Sequence, residues 1–305
     1  MYTAQGRFYC YGCDAHGDVF TFVMQIEHAE FNRAIEILSG ATLPSTKRPI
    51  PTLKPQAELE LDDGHFAVMQ AAAELYHTAL VNPAPGQAPV AADAQAFLRT
   101  RGIADFTIHH WRIGYAAGGQ LARYLIHRGL DVRKAVEIGL IQPGGRGREH
   151  LHGRVTFPLT REEQTAFLVG RAVGDAHPKY LGLPISKPLY YDGTVLQTLE
   201  RDRTIVVEGP LDVLTLWQWG YQHDYSLIGL VGTYLKADAL DLFERFGHIF
   251  LALDADSRGM EAAQRLAAHW PDRARVLHLP TGCDVNDLAQ RPGGREAFAR
   301  LFPPD

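Results

Sequence analysis

The last third of the chain reads, in order, "TIVVEG", "SLIGLVG", "HIFLALDAD" and "RVLHLP", with amphipathic stretches near 211–219, 237–246 and 258–269 between them. Strands alternating with helices admit few folds. Apolar runs this continuous do not leave one face to water, so the pattern predicts an α/β fold: a parallel sheet with helices on both faces. In such sheets the ligand lies beyond the carboxyl ends of the strands. Acids stand at those ends: Glu208 after "TIVV", Asp254 and Asp256 after "IFLAL", and Asp284 with Asp287 after "RVLHLPTGC". Asp254 and Asp256 are two residues apart, so they share a face if the strand geometry persists that far. Carboxylates gathered in one crevice raise one another's pKa unless a cation neutralises them. Hard oxygen ligands of this kind suit Mg²⁺ or Mn²⁺, and with them phosphoryl transfer. Asp256, directly before "SRGMEAAQRL", is equally placed to cap a helix. The weight therefore rests on the set of acids, not on any one of them.

Upstream, "GDVFTFVMQIEHAEFNRAIEIL" spaces Val19, Phe22, Val23 and Ile26 for a helix capped by Asp18, followed by a second amphipathic set at Phe31, Ile35 and Leu38. Pro44, Pro49, Pro51 and Pro55 then forbid a helix interior and mark a linker. Helices are predicted near 64–81, 93–101, 119–129 and 131–139, and strands over "GRVTFPL" and "TAFLVGRAV". With 305 residues, 46% apolar and 21% charged, the chain is globular and long enough for two domains. No apolar run approaches the roughly 18 residues of a membrane helix, and no basic-then-apolar leader opens the sequence, so no membrane partner and a cytoplasmic location are expected. Three cysteines, Cys10, Cys13 and Cys283, do not make a disulfide framework. The net charge is −5, yet between Arg99 and Arg154 ten Arg or Lys face four Asp or Glu. That basic middle fits either nucleic acid or solvated helix faces.

"VVEGPLDVLTL", "LALDADSRGMEAA" and "GCDVNDL", in this order, resemble the three signatures of the Toprim domain. "FLRTRGIADFTIHHWRIGYA", "GRVTFPL", "LVGRAVGDAHPKYLG" and "LIGLVGTYL" resemble the catalytic core of bacterial replicative primases, and the likeness runs from about Gly6 to Leu288. It implies a Toprim parallel sheet flanked by helices over 201–305, preceded by a mixed α+β primase subdomain over 63–200, a linker over 41–62 and a zinc-ribbon remnant over 1–40. Carried over by position, Glu208 resembles the acid beside the metals, Asp254 and Asp256 the metal-binding pair, and Asp284 the late acid. Asn286 stands where relatives often have another Asp. Arg154, Arg171 and Lys179 match bases facing the nucleotide and template path. Asp192 departs from a basic position, for which Lys187 is a candidate substitute. Tyr190 and Tyr191 read as sheet packing or base stacking, and Trp217 and Trp219 as core and helix packing.

"GRFYCYGCDAHGDVF" resembles the half of the primase zinc ribbon that ends in Cys-x-x-Cys. Cys10 and Cys13 form the knuckle, His16 is a possible third ligand, and the other half should lie upstream. Zn²⁺ is expected only if those further ligands exist. Together with the chain's stop at Asp305, this is closer to a phage or mobile-element primase than to the chromosomal enzyme. The resemblance implies a DNA primase using Mg²⁺ or Mn²⁺, single-stranded DNA and ribonucleoside triphosphates, with a replicative helicase as a possible partner. A Toprim nuclease and a noncatalytic single-stranded-DNA-binding adaptor are the competing readings.

Overall fold

The computed structural model describes residues 7–9, 16–27, 34, 37, 38 and 59–303, apart from 144–146, 162–163, 190–201 and 232–236. The chain forms two compact units, Met1–Glu58 and Leu59–Asp305. In the first, strand β1 (Arg7–Tyr9) pairs antiparallel with β2 (His16–Asp18), which leads into helix α1 (Val19–Ile26). Asp18 caps α1 as its spacing predicts, its carboxylate accepting from the Thr21 N–H at 2.9 Å. Phe8 is buried and meets Phe22 edge to face. Cys10 and Cys13 lie outside the described residues, as do Phe31, Ile35 and the side chain of His16.

The second unit opens with α2 (Asp63–Val81), over the range the apolar spacing predicts. Its start is set by a reciprocal cap: Asp62 accepts from the His65 N–H, and the His65 ring accepts from the Asp62 N–H. α3 (Ala88–Thr100) begins earlier than the predicted 93 because Pro89 falls in the first turn, where a backbone N–H has no helical partner to lose. α4 (Asp105–His110) and the two-residue strand β3 (Gly114–Tyr115) are too short to leave a periodic signal. α5 (Leu121–His127) and α6 (Val132–Glu137) follow. β4 (Arg154–Arg161), β5 (Gln164–Ala172) and β6 (Tyr180–Gly182) then complete an antiparallel sheet in the order β3-β4-β5-β6. α2 lies on this sheet, with the Gln70 carbonyl oxygen accepting from both the N–H and the hydroxyl of Thr165 in β5.

β7 (Arg203–Val207), α7 (Pro210–Gln218), β8 (Ser226–Gly229), α8 (Ala237–Phe243), β9 (His248–Leu251), α9 (Ser257–Ala267) and β10 (Ala274–Val276) build the second sheet. All its pairings are parallel, in the order β10-β9-β7-β8. Alternate strand residues serve two cores. Ile205, Val207, Leu227 and Phe250 join the apolar cluster that also holds α2 and the antiparallel sheet, whereas Val206, Ile228, Ile249 and Leu251 pack with Ala262, Ala263 and Leu266 of α9. A sheet covered on both faces accounts for the unbroken apolar runs in the sequence. α10 (Val285–Ala289) and α11 (Gly294–Ala299) close the chain against the first of these cores.

Candidate active site at the parallel strand ends

β7 ends at Val207 and delivers Glu208 at once, with α7 starting two residues later. β9 ends at Leu251, so Asp254 and Asp256 lie in the turn beyond it rather than on continued strand, and they differ accordingly. Asp254 is half-buried. Asp256 is exposed and caps α9, accepting from the Gly259 N–H at 2.7 Å. The capping reading and the site reading of Asp256 are thus both realised in space. Asp284 is not at a strand end: it lies well past β10 and caps α10 in a reciprocal pair with Asp287. Its loop reaches the site because it is bonded to the β9 exit, the Ala255 N–H donating to the Cys283 carbonyl at 3.0 Å and the Gly282 N–H to the Ala255 carbonyl at 2.9 Å.

The Asp254 N–H donates to Glu208 Oε1 at 3.2 Å, which locks two strand exits together. Gly259 makes that approach possible. A Cβ there would collide with the Asp254 carbonyl oxygen and stand 2.7 Å from Glu208 Oε1, so only glycine fits the first turn of α9. Burial, and then the Asp254 charge, push the Glu208 carboxyl up to about 7. Burial, and then Asp284, push Asp254 up to about 6, while the Lys179 charge opposes the rise. Asp284 is also raised, chiefly by burial. These are carboxyls short of positive charge, which is the electrostatic condition a divalent cation relieves. Among the described residues no group of three or more His, Cys, Asp or Glu side chains is placed to hold a metal ion by itself. Mg²⁺ does not need one, since it keeps several waters and is commonly held by one or two carboxylates together with substrate phosphates. Glu208 with Asp254, completed by water and substrate phosphate, is the part of the donor set that fits a hard divalent ion.

The bases divide sharply. Lys179 is exposed, just before β6, and its charge acts on Asp254 and Asp284. Arg154 and Arg171, by contrast, are each only 6% exposed. Arg154 donates to the Pro178 carbonyl at 2.7 Å and so holds the backbone that carries Lys179. Arg171 lies between the rings of Phe97 and Tyr180, its guanidinium carbon 5.5 and 5.0 Å from their centroids, and burial lowers its pKa. Neither faces open solvent as a phosphate-binding arginine would. Lys187 donates to the Val231 carbonyl at 2.7 Å. Tyr190, Tyr191 and Asp192 lie outside the described residues. Trp217 packs as expected, stacked at 4.4 Å on His110 of α4. Much of the basic middle is spent internally as well: Arg101 pairs with Asp287, Arg128 with Glu74, Arg133 with Asp131, and Lys134 with Asp62 and Glu137.

Two residues escaped the sequence reading. Asp212, in "EGPLDV", is 5% exposed and accepts from the N–H groups of Gly209 and Asn286 at 3.1 and 3.0 Å. Its carboxyl is held well above the ordinary range by burial and by the nearby Asp284 and Asp254 charges. The signal was its place in the first turn of α7, directly after the Glu208 strand exit. Arg101, in "RTRGI", bonds Asp287 at 3.0 Å, and nothing local in the sequence pairs residues that far apart.

Comparison with known proteins agrees with this layout. Residues 1–47 match the CHC2 zinc finger model, 86–201 the N-terminal domain of the DNA primase catalytic core, and 205–289 the Toprim-like model. A DNA primase of Deinococcus radiodurans is 30% identical over 331 residues, covering 97% of this chain and 52% of that protein. One from Halalkalibacterium halodurans is 28% identical, covering 94% and 49%. The chain thus spans about half the length of the curated relatives it matches. A DNA primase domain from Pseudomonas aeruginosa superposes with a TM-score of 0.65 at 28% identity, over 78% of this chain and 77% of that one. A DnaG primase catalytic domain described as bound to single-stranded DNA gives 0.63 at 27% identity, over 78% and 80%. With its three parts matched in order and the acids of the parallel strand ends falling inside the Toprim-like range, the chain belongs to the DnaG-type bacterial primases.

Proposed function

We propose that this chain is a DNA primase, a nucleotidyltransferase that joins ribonucleoside triphosphates into short RNA on single-stranded DNA. The observation that carries the reading is the hydrogen bond that joins the Glu208 and Asp254 strand exits, with the Asp284 loop bonded to the second of them and the Lys179 charge acting on Asp254 and Asp284. Relatives named DNA primase and a neighbour described as bound to single-stranded DNA support it.

Glu208, Asp254 and Asp256 are the ligands proposed for Mg²⁺ or Mn²⁺, with Asp284 beside them. The ion, when bound, supplies the positive charge that aligns an attacking 3′ hydroxyl and takes up charge on the departing pyrophosphate. In place of holding the ion, Glu208 is the candidate to accept the hydroxyl proton. Lys179 meets the triphosphate. Arg154 and Arg171 act by holding the Lys179 segment and the Tyr180 ring in place rather than by touching phosphate. The zinc-ribbon region, with Cys10 and Cys13, is assigned to template recognition, with Zn²⁺ as its metal where further ligands complete the pair. A replicative helicase is the partner expected of the assembled protein. In this reading 1–40 is the ribbon, 41–62 the linker, 63–200 the core subdomain and 201–305 the Toprim domain.

The test is incubation of the full chain with single-stranded DNA, labelled ribonucleotides and Mg²⁺ or Mn²⁺, beside an Asp254→Asn/Asp256→Asn control. Short labelled RNA from the parent alone is the expected result. If the parent extends a preannealed primer but starts none, the defect is in initiation. If it does neither, the adaptor reading replaces this one.

A further inference from the structure

The acids occupy one end of α7, and a group of aromatic rings occupies the other. At 1.5 Å per residue, Trp217 lies about 10 Å along the helix from its start beside the Glu208 turn, and there it meets two rings of α4. His110 is stacked on it at 4.4 Å with the planes 22° apart, and Phe106 stands at 5.8 Å and 35°. Phe106 and His110 are four residues apart and so share one face of α4. Trp111 backs the group edge-on, 6.2 Å from Trp217. Trp111 is buried, whereas Phe106 is 57% exposed.

Gln218, the next residue, bolts the two helices together. Its Oε1 accepts from the Ala104 N–H at 2.8 Å and the Thr107 hydroxyl at 2.6 Å, and its amide donates to the Gly102 carbonyl at 2.9 Å. The rings are thus set in place before a ligand arrives, which lowers the ordering cost of binding one. The charge around them has one sign. Between Ala94 and Leu130 the chain has five arginines and a single acid, Asp105. Arg101 and Arg128 are spent in ion pairs, but Arg99 in the last turn of α3 and Arg112 just past α4 are exposed. A ligand that suits this surface carries flat apolar rings on an anionic backbone.

We infer that Phe106, Trp217 and His110 form a stacking platform for bases of the single-stranded DNA, with Arg112 and Arg99 beside them for its phosphates. The inference rests on the primase reading and adds to it a place outside the acidic site where the strand is gripped. Such a grip is indifferent to sequence, because every base offers a π-face. Since α7 carries the platform at one end and follows the Glu208 turn at the other, one rigid helix spaces the strand from the acids.

Fluorescence anisotropy of the full chain with a labelled oligodeoxythymidine, and with an abasic strand of the same length, separates base contacts from phosphate contacts. The parent should bind the thymidine strand about tenfold more tightly, the scale of one stacked base. Phe106→Ala should lose most of that preference while keeping its affinity for the abasic strand, and Phe106→Tyr should restore it. Melting curves of both variants should match the parent, because the ring is mostly in water. A parent that binds both strands equally, or a Phe106→Ala variant that keeps the full preference, overturns the inference and leaves the primase reading standing; the rings then belong to a protein partner. Equal loss of both affinities in Phe106→Ala also overturns it, since the contact is then not to bases. A parent that binds neither strand overturns both.

Discussion

The two sheets of the second unit use their functional side chains in opposite ways. The parallel sheet keeps the ends of its β7 and β9 strands apolar and places chemistry in the turns after them, where Glu208, Asp254 and Asp256 stand. The antiparallel sheet carries Arg154 and Arg171 within its strands, where pairing on both sides and the packing of α2 and α3 bury them. A base inside a strand becomes a strut. A charge in the turn beside a strand stays a working group, and Lys179, just ahead of the short β6, belongs to that second kind.

The largest effect that would test this contrast is the loss of the acids. Asp254→Asn with Asp256→Asn should cut primer synthesis by at least about 100-fold, since a metal at such a site supplies several kcal/mol of charge stabilisation. Its melting temperature should hold or rise as repulsion is relieved, and a matching drop in stability would break the comparison. Next comes Gly259→Ala, which touches no substrate but forces the Glu208–Asp254 lock apart. A displacement on the order of 1 Å at a site like this costs about 10–100-fold in rate, visible as a fall in kcat in a primer-extension assay.

Smaller, and most pointed, is the contrast between two bases. Arg154→Ala removes a charged, buried donor worth about 1.5–3 kcal/mol and should lower the melting temperature by roughly 4–10 °C in a unit of this size. Lys179→Ala should leave melting unchanged and raise the nucleotide KM about tenfold, the equivalent of losing one charge-assisted contact of about 1.4 kcal/mol. Should Arg154→Ala raise KM without touching stability, the buried arginine is a ligand after all.

The smallest effect concerns pH. Between the unfolded carboxyl value and the raised values of about 7 for Glu208 and about 6 for Asp254, the folded state binds more protons than the unfolded one. Stability of the metal-free chain should therefore be fully present below the unfolded pKa and fall as pH rises through 7, by a few degrees in a thermal scan. Mg²⁺ should restore it on the alkaline side, where the carboxyls are ionised. A melting temperature that climbs over this range would show that the acids are already neutralised by the protein.

Much of the fold was legible because it is periodic. The 2-residue alternation of Ile205, Val206 and Val207 between two cores, and the long apolar face of α2, are local patterns that need no partner to be read. β3, α4 and β6 are two to six residues long and exist through what they pack against, so no local signal marks them. The acids after strands could be placed from the topology rule alone. What could not be read was burial: that Arg171 lies between Phe97 and Tyr180, or that Arg101 reaches Asp287, depends on elements far apart in sequence. Asp284 shows both sides, since its role at the site was expected but its route through a cap and two loop hydrogen bonds was not.

The apolar cluster that runs from α2 through the antiparallel sheet to α7 and α10 bears on how such a chain can be cut and recombined. The cluster that buries Ile205 and Val207 of the parallel sheet is continuous with Tyr76, Phe157 and Leu168 of the other half. Genetic exchange at a boundary near residue 200 would hand each partner an unfinished interior, so the acids and the lysine that faces them are inherited together or not at all.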